Sequence, residues 1–165
     1  MQPELPCGVN IDLSRWATLV LAATQDVFAS MIFLDLKPGN PVEGKDASFD
    51  SSLSSMIGLA GDLKGLLAVH CTRETALSIT SSMLGMEVDE LDEDVKDAIG
   101  EVANMVAGGI KASLTDYKVN IELAIPSVAV GKGIRVSSIS KGCRVLLPFT
   151  IPAGTFGIEF QYVCT

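Results

Sequence analysis

One long helix-forming segment, about residues 93–114, is followed by nothing but short strand-forming stretches, and that order limits the fold more than any other feature. Apolar, β-branched runs occupy 119–125, 127–130, 134–139, 145–151 and 156–163. Pro126, Gly131-Lys132-Gly133, Lys141-Gly142 and Pro152-Ala153-Gly154 separate them. Short strands punctuated by such breakers predict an antiparallel meander. Upstream, 53–60 and 63–69 read as two strands, with Gly61-Asp62 turning one into the other. Thr72 is placed to cap a helix with Ala76, Ile79 and Met83 on its apolar side and Gly85 at its end. Asp92 is placed to cap the long helix. Asp12 or Ser14 would start a first helix carrying Trp16, Val20, Ala23 and Val27 at helical spacing. Residues 31–36 read as a strand, 42–50 as loop and 1–10 as a loose tail. The expectation is one α+β domain over 1–165, with helices packed on one face of an antiparallel or mixed sheet.

Apolar residues make up 48% of the chain and charged ones 19%, enough to bury a core and too apolar for intrinsic disorder. No apolar run reaches the roughly 18 residues of a membrane span. The longest, 16–27, is interrupted by Thr18, Thr24, Gln25 and Asp26. The N-terminus lacks the basic flank of a secretory signal, so a cytoplasmic protein is expected. A net charge of −8 argues against nucleic acid and fits steering toward a basic partner surface. Cys7, Cys71, Cys143 and Cys164 form no CxxC pair, and His70 alone completes no zinc set, so no metal ligation is expected. Reduced thiols are expected, with Cys71 and Cys143 in the core.

Within the long helix, Val95, Ile99, Val102, Val106, Gly109 and Ser113 fall on one side at roughly 100° per residue. Asp97, Glu101, Asn104 and Gly108 form a stripe nearly opposite, facing solvent or a partner. Asn104 opposes helix propensity by about 0.5–0.7 kcal/mol, and each of Gly108 and Gly109 by about 1 kcal/mol. Close packing against the core explains Gly109. Gly108, on the outer stripe, has no such explanation unless another surface must approach the backbone there, as local rule-breaking at functional sites suggests. An amide cannot act as a base, but its donors and acceptor suit holding a water in line with a leaving group. A flexible carboxylate one turn away suits a partner's Lys. No Ser/His/Asp or Cys/His set, P-loop, GxGxxG or HExxH accompanies them, so a partner would have to bring metal and electrophile. On spacing alone, a plain solvated helix face accounts for the same residues.

The wider segment resembles the CheC/CheX/FliY family of chemotaxis phosphatases. That family's motif is an Asp or Ser, three residues, Glu, two residues, Asn, then a Pro just over twenty positions later. Here it reads Asp97-x-x-x-Glu101-x-x-Asn104 with Pro126 at the expected distance. Flanking text at 58–61, 64–67, 74–77, 98–108 and 126–131 agrees, and the resemblance spans about 55–135. It implies a CheC-like fold and hydrolysis of the aspartyl phosphate of a CheY-like response-regulator receiver. It also implies roles. Asn104 would orient the water, Glu101 would pair with the receiver's active-site Lys, and Asp97 and Gly108 would lie toward the partner. Pro126 would fix a strand start behind the helix. The chain would need no cofactor of its own, and Mg²⁺ would sit on the receiver. CheC-like members repeat the motif in the first helix, but here Asp12 is followed by Trp16 and Leu19 where Glu and Asn would stand. One motif is the CheX pattern, whose members form homodimers. Trp16 is then core or interface packing. The alternative is a non-catalytic receiver-binding or adaptor module of the same fold.

Overall fold

A computed structural model describes residues 13–43, 49–131 and 143–164. The tail at 1–10, Cys7, most of the 42–50 loop and the strand expected at 134–139 lie outside them.

Helix α1 (Leu13–Val27) buries Trp16, Val20, Ala23 and Val27, the four positions its spacing selects. Helix α2 (Arg73–Leu84) begins where the Thr72 hydroxyl accepts the Thr75 N–H and ends at Gly85, whose φ of 66° is the left-handed C-cap that glycine adopts without strain. Helix α3 runs Glu93–Leu114. Asp92 caps it by accepting the Val95 N–H at 3.2 Å, and Glu93 and Asp94 place negative charge at the positive end of its dipole.

Eight strands form one sheet in which each pairing is antiparallel. They are β1 (Lys37–Pro38), β2 (Val42–Glu43), β3 (Leu53–Gly61), β4 (Leu63–Cys71), β5 (Ile121–Leu123), β6 (Ser127–Val130), β7 (Cys143–Ile151) and β8 (Gly154–Cys164). The order is β1-β7-β8-β4-β3-β5, with β2 also on β7 and β6 also on β3. The strands after α3 therefore do not make a meander of their own. β5 and β6 add to β3, while the β7–β8 hairpin adds to β4. The long β3–β4 hairpin forms earlier in the chain and offers an edge on either side, so later strands pair with it rather than only with each other.

Residues 31–36 are not a strand. A π-helical turn, Phe28–Ile32, continues α1 and ends at Phe33, which has a φ of 61°. Phe28 and Ile32 are both buried and lie four apart, so this stretch keeps the helical period of the residues before it. Pairing begins only at β1, and β2 lies within the expected loop.

Alternation sorts each strand. Leu53, Ile57, Leu67, Val69, Leu147, Phe149, Ile158 and Phe160 face the helices and form the core with them. The Trp16 indole N–H donates to the Tyr162 hydroxyl at 2.9 Å, and its ring stacks on Phe160 with centroids 4.6 Å apart, so Trp16 is core. Cys71 is buried in this layer and its thiol is pushed up to about 12, chiefly by burial, which leaves it inert as a nucleophile. Cys143, expected in the core, is exposed because it opens β7 at the sheet's edge of regular pairing.

Candidate functional site

Helix α3 divides as its periodicity requires. Val95, Ile99, Val102 and Val106 are buried, joined by Ala98, Ala103, Ala107, Ile110 and Leu114. Gly109 lies against α1: a Cβ there would stand 3.0 Å from the Ala23 Cβ, so a larger residue would force the helices apart. On the other side Asp97, Glu101 and Asn104 are exposed. Among the described residues neither the Glu101 carboxylate nor the Asn104 amide has a hydrogen-bond partner. Both are held out, on adjacent turns of a helix anchored by its buried face, with their bonding capacity unused.

Across from them runs the connection from β5 to β6. The Ala124 N–H donates to the Gly58 carbonyl at 2.9 Å, and Pro126 directly precedes β6, whose four residues pair with Leu53 to Met56 of β3. Pro126 thus stands at the strand start facing the helix. Together α3 and this connection wall a groove of about 460 Å³. Lys96, Asp97, Gly100, Glu101 and Asn104 supply the helix wall, and Ala124, Ile125, Pro126 and Val128 the strand wall. One wall is polar and charged, the other apolar. The structure brings Asp97, Glu101, Asn104 and Pro126 to one groove. Gly108 lies one turn beyond it, and a Cβ there would have no atom within 4 Å.

Lys96, Gly100 and Ile125 escape sequence reasoning. Lys96 has no anomalous spacing, Gly100 carries the same mid-helix glycine penalty as Gly108 and Gly109 and could have been found by it, and Ile125 reads as the end of a strand when it lies in the connection beyond it. Lys96 also pairs with Glu93 at 3.0 Å, one turn back on the exposed helix surface. Among the described residues the groove is lined by no Ser, Cys or His, and no cluster of His, Cys, Asp and Glu side chains is suited to hold a metal ion. These described residues can position a water and a cation, but none of them is a nucleophile or an electrophile.

A second polar constellation lies on the sheet face turned away from the helices. The Ser51 and Ser54 hydroxyls are 3.0 Å apart, Ser54 Oγ is 2.6 Å from His70 Nδ1, and His70 Nε2 is 2.9 Å from Glu159 Oε1. Arg144 donates to both Glu159 oxygens, at 2.8 and 3.0 Å, and the Gln161 amide also donates to this carboxylate. Burial by itself pushes the Glu159 carboxyl up. The donors from His70, Arg144 and Gln161, with the Arg144 charge, overturn that and hold it down at about 2. A carboxylate accepts from His70 Nε2–H, which in the neutral ring leaves Nδ1 to accept from Ser54. The line Ser54–His70–Glu159 has the order of a nucleophilic triad that no sequence spacing discloses. Ser54 is 0% exposed, however, and Phe49 stacks over His70, so no substrate reaches the hydroxyl. This set fastens β3, β4, β7 and β8 together.

Comparison with known proteins places the groove in a family. A family model of the chemotaxis phosphatase CheX matches residues 53–150, more than half of the chain and the whole of the groove. The chain is 28% identical over 139 residues to the CheY-P phosphatase CheX of Thermotoga maritima, covering 84% of this chain and 88% of that one. A crystal structure of the chemotaxis protein CheX from Desulfovibrio desulfuricans superposes with a TM-score of 0.81 at 31% identity, over 88% of this chain and 97% of that one. A CheC-like superfamily protein from Shewanella sp. PV-4 superposes with a TM-score of 0.84 at 32% identity, over 92% and 99%. With the fold, the motif on α3 and the family match in agreement, this chain belongs to the chemotaxis phosphatase CheX family.

Proposed function

We propose that the chain accelerates hydrolysis of the aspartyl phosphate of a CheY-like response-regulator receiver, through Glu101 and Asn104. The observation that carries this reading is the pair itself: an acid and an amide, exposed and uncapped, on one side of a rigid helix, in a groove whose described residues include no nucleophile and no metal ligand set. Such a site does chemistry only on a group that another surface delivers. In this reading the receiver contributes the acyl phosphate and its Mg²⁺. Asn104 holds a water in line with the phosphorus–oxygen bond to the receiver's Asp. The water oxygen bonds to phosphorus, that bond breaks, and the products are inorganic phosphate and a free carboxylate. Glu101 pairs with the receiver's active-site Lys, and Asp97 is a polar contact at the rim. The same reading places the chain in the cytoplasm, where such receivers work, and as a homodimer. The name CheY-P phosphatase, borne by the Thermotoga relative, supports it.

The direct test mixes the protein with receivers from its own host charged with acetyl phosphate and follows phosphate loss. Acceleration of at least one receiver is expected, and no acceleration of any of them overturns the reading. Glu101→Ala is expected to weaken docking by about tenfold or more while sparing the rate at saturation, since a charge paired at an interface centre contributes mainly to affinity. A fall in the saturated rate with unchanged half-saturation would contradict that division.

Gly108 separates stability from docking. Its Cβ direction is open, so Gly108→Ala is expected to stabilise the fold by about 1 kcal/mol, or 2–4 °C in Tm for a chain of this length. In this reading the added methyl stands where the receiver approaches the backbone, so the stabler variant is the poorer phosphatase. Equal activity would remove Gly108 from the docking surface.

A further inference from the structure

Six large hydrophobic side chains are exposed among the described residues, and Ile125, at 88%, is the most exposed. Apolar residues scattered singly over a surface carry no message. Ile125 differs in its place: Phe33, Val42, Leu84, Met86 and Val130 lie outside the groove, whereas Ile125 stands on its wall opposite Glu101 and Asn104. It is also held. The residue before a proline is confined to extended backbone, Ala124 is hydrogen-bonded to Gly58, and β6 is paired to β3 from Ser127 onward. A β-branched side chain on such a backbone has few rotamers to lose on binding. An interface anchor is a side chain that a partner buries and desolvates fully, and a held, exposed apolar side chain beside the reacting pair offers that burial at little entropic cost.

We infer that Ile125 is the apolar anchor of receiver docking, packing against an apolar side chain of the receiver beside its phosphorylated Asp while Glu101 and Asn104 engage the polar centre. The occupant follows from continuity: the groove wall that bears Ile125 is the other side of the one that bears the proposed catalytic pair, so whatever brings phosphate to Asn104 covers Ile125 as well. The inference rests on the phosphatase reading. Gly100 completes it. It is buried at the base of the groove, and a Cβ there would meet Val128 Cγ2 at 3.8 Å and Pro126 Cβ at 3.9 Å, ordinary contacts that the free protein accommodates, so the protein's own packing does not require this glycine and an added methyl would raise the groove's base.

The test measures the dependence of dephosphorylation rate on the concentration of a host CheY-like receiver charged with acetyl phosphate, for wild type, Ile125→Ser, Ile125→Val and Gly100→Ala. Ile125→Ser is expected to raise KM about tenfold with kcat within about twofold, a difference typical of an anchor residue. Ile125→Val, which keeps the branched surface, restores most of the affinity. Gly100→Ala folds with undiminished Tm and also raises KM. Unchanged KM in Ile125→Ser, with wild type active, overturns the anchor and leaves the phosphatase reading standing. A wild type inactive on all receivers defeats that reading and the anchor with it. Ile125→Ser with lowered kcat and unchanged KM places the side chain in positioning the chemistry and also overturns the inference.

Discussion

Asn104→Ala is expected to lower receiver dephosphorylation by about 100-fold or more while leaving receiver binding within about twofold of wild type. A loss of that size corresponds to about 2.7 kcal/mol of barrier, what a well-placed dipole contributes at a reacting centre. The amide pairs with no group among the described residues, so removing it leaves α3 intact and replaces a mid-helix Asn by a better helix former. Binding is spared because docking falls to Glu101 and the groove wall, and its measurement uses a receiver held in its phosphorylated form by beryllofluoride. Asn104→Asp is the sharper companion. It has the same shape, but it loses the NH₂ donors and sets a negative charge against the phosphoryl oxygens, so it is expected to be no better than alanine. Asn104→Gln moves the amide by one methylene and is expected to recover little, since water positioning tolerates small displacement poorly. Full activity in Asn104→Ala, at matched binding, would take the water-orienting role away from this residue.

The parts of the fold written locally in the chain are the parts legible in it. The bounds of α3, its cap at Asp92, the Thr72 cap, the Gly85 stop and the β3–β4 hairpin are each set by a few adjacent residues. The outward stripe of Asp97, Glu101 and Asn104 follows from helical period alone. What that period does not show is the partner wall. The segment from Ala124 to Val128 reaches the groove because β6 pairs with β3, a contact between residues about seventy apart in sequence. The same limit explains the broken meander, where β5–β6 and β7–β8 part to opposite sides of one earlier hairpin. Residues 31–36 read as strand because Met31, Ile32, Phe33, Leu34 and Leu36 have strand composition, while Phe28, stacked on Phe156 of β8, and Ile32 are buried at helical spacing and carry the helical path of α1 one turn further. The second polar constellation is the extreme case. His70 and Glu159 are 89 positions apart and meet only because β4 and β8 lie side by side, with Arg144 arriving from β7.

That constellation carries the largest expected effect on stability. Arg144→Ala is expected to destabilise the fold by about 3 kcal/mol at pH 7, read as a fall in the urea midpoint. The guanidinium donates to both oxygens of a carboxylate that is 2% exposed. Its removal leaves Glu159 a buried anion with only His70 and Gln161 to offset the lost hydration. The pH dependence follows from the same carboxylate. In the folded protein it is held at about 2, against an ordinary value of 4.5. A group depressed on folding contributes its stability fully above the unfolded value and loses it as pH falls toward the folded one. Wild type is therefore expected to lose about 3 kcal/mol through this group between about pH 4.5 and pH 2. In Arg144→Ala the folded value rises and the acid loss from Glu159 shrinks, so the two stability curves converge as pH falls through that window. Curves that stay parallel from pH 4.5 to 2 would mean that Arg144 is not what holds Glu159 ionised. The groove lies on the α3 side, away from this face, so dephosphorylation per folded molecule is expected to be unchanged in Arg144→Ala.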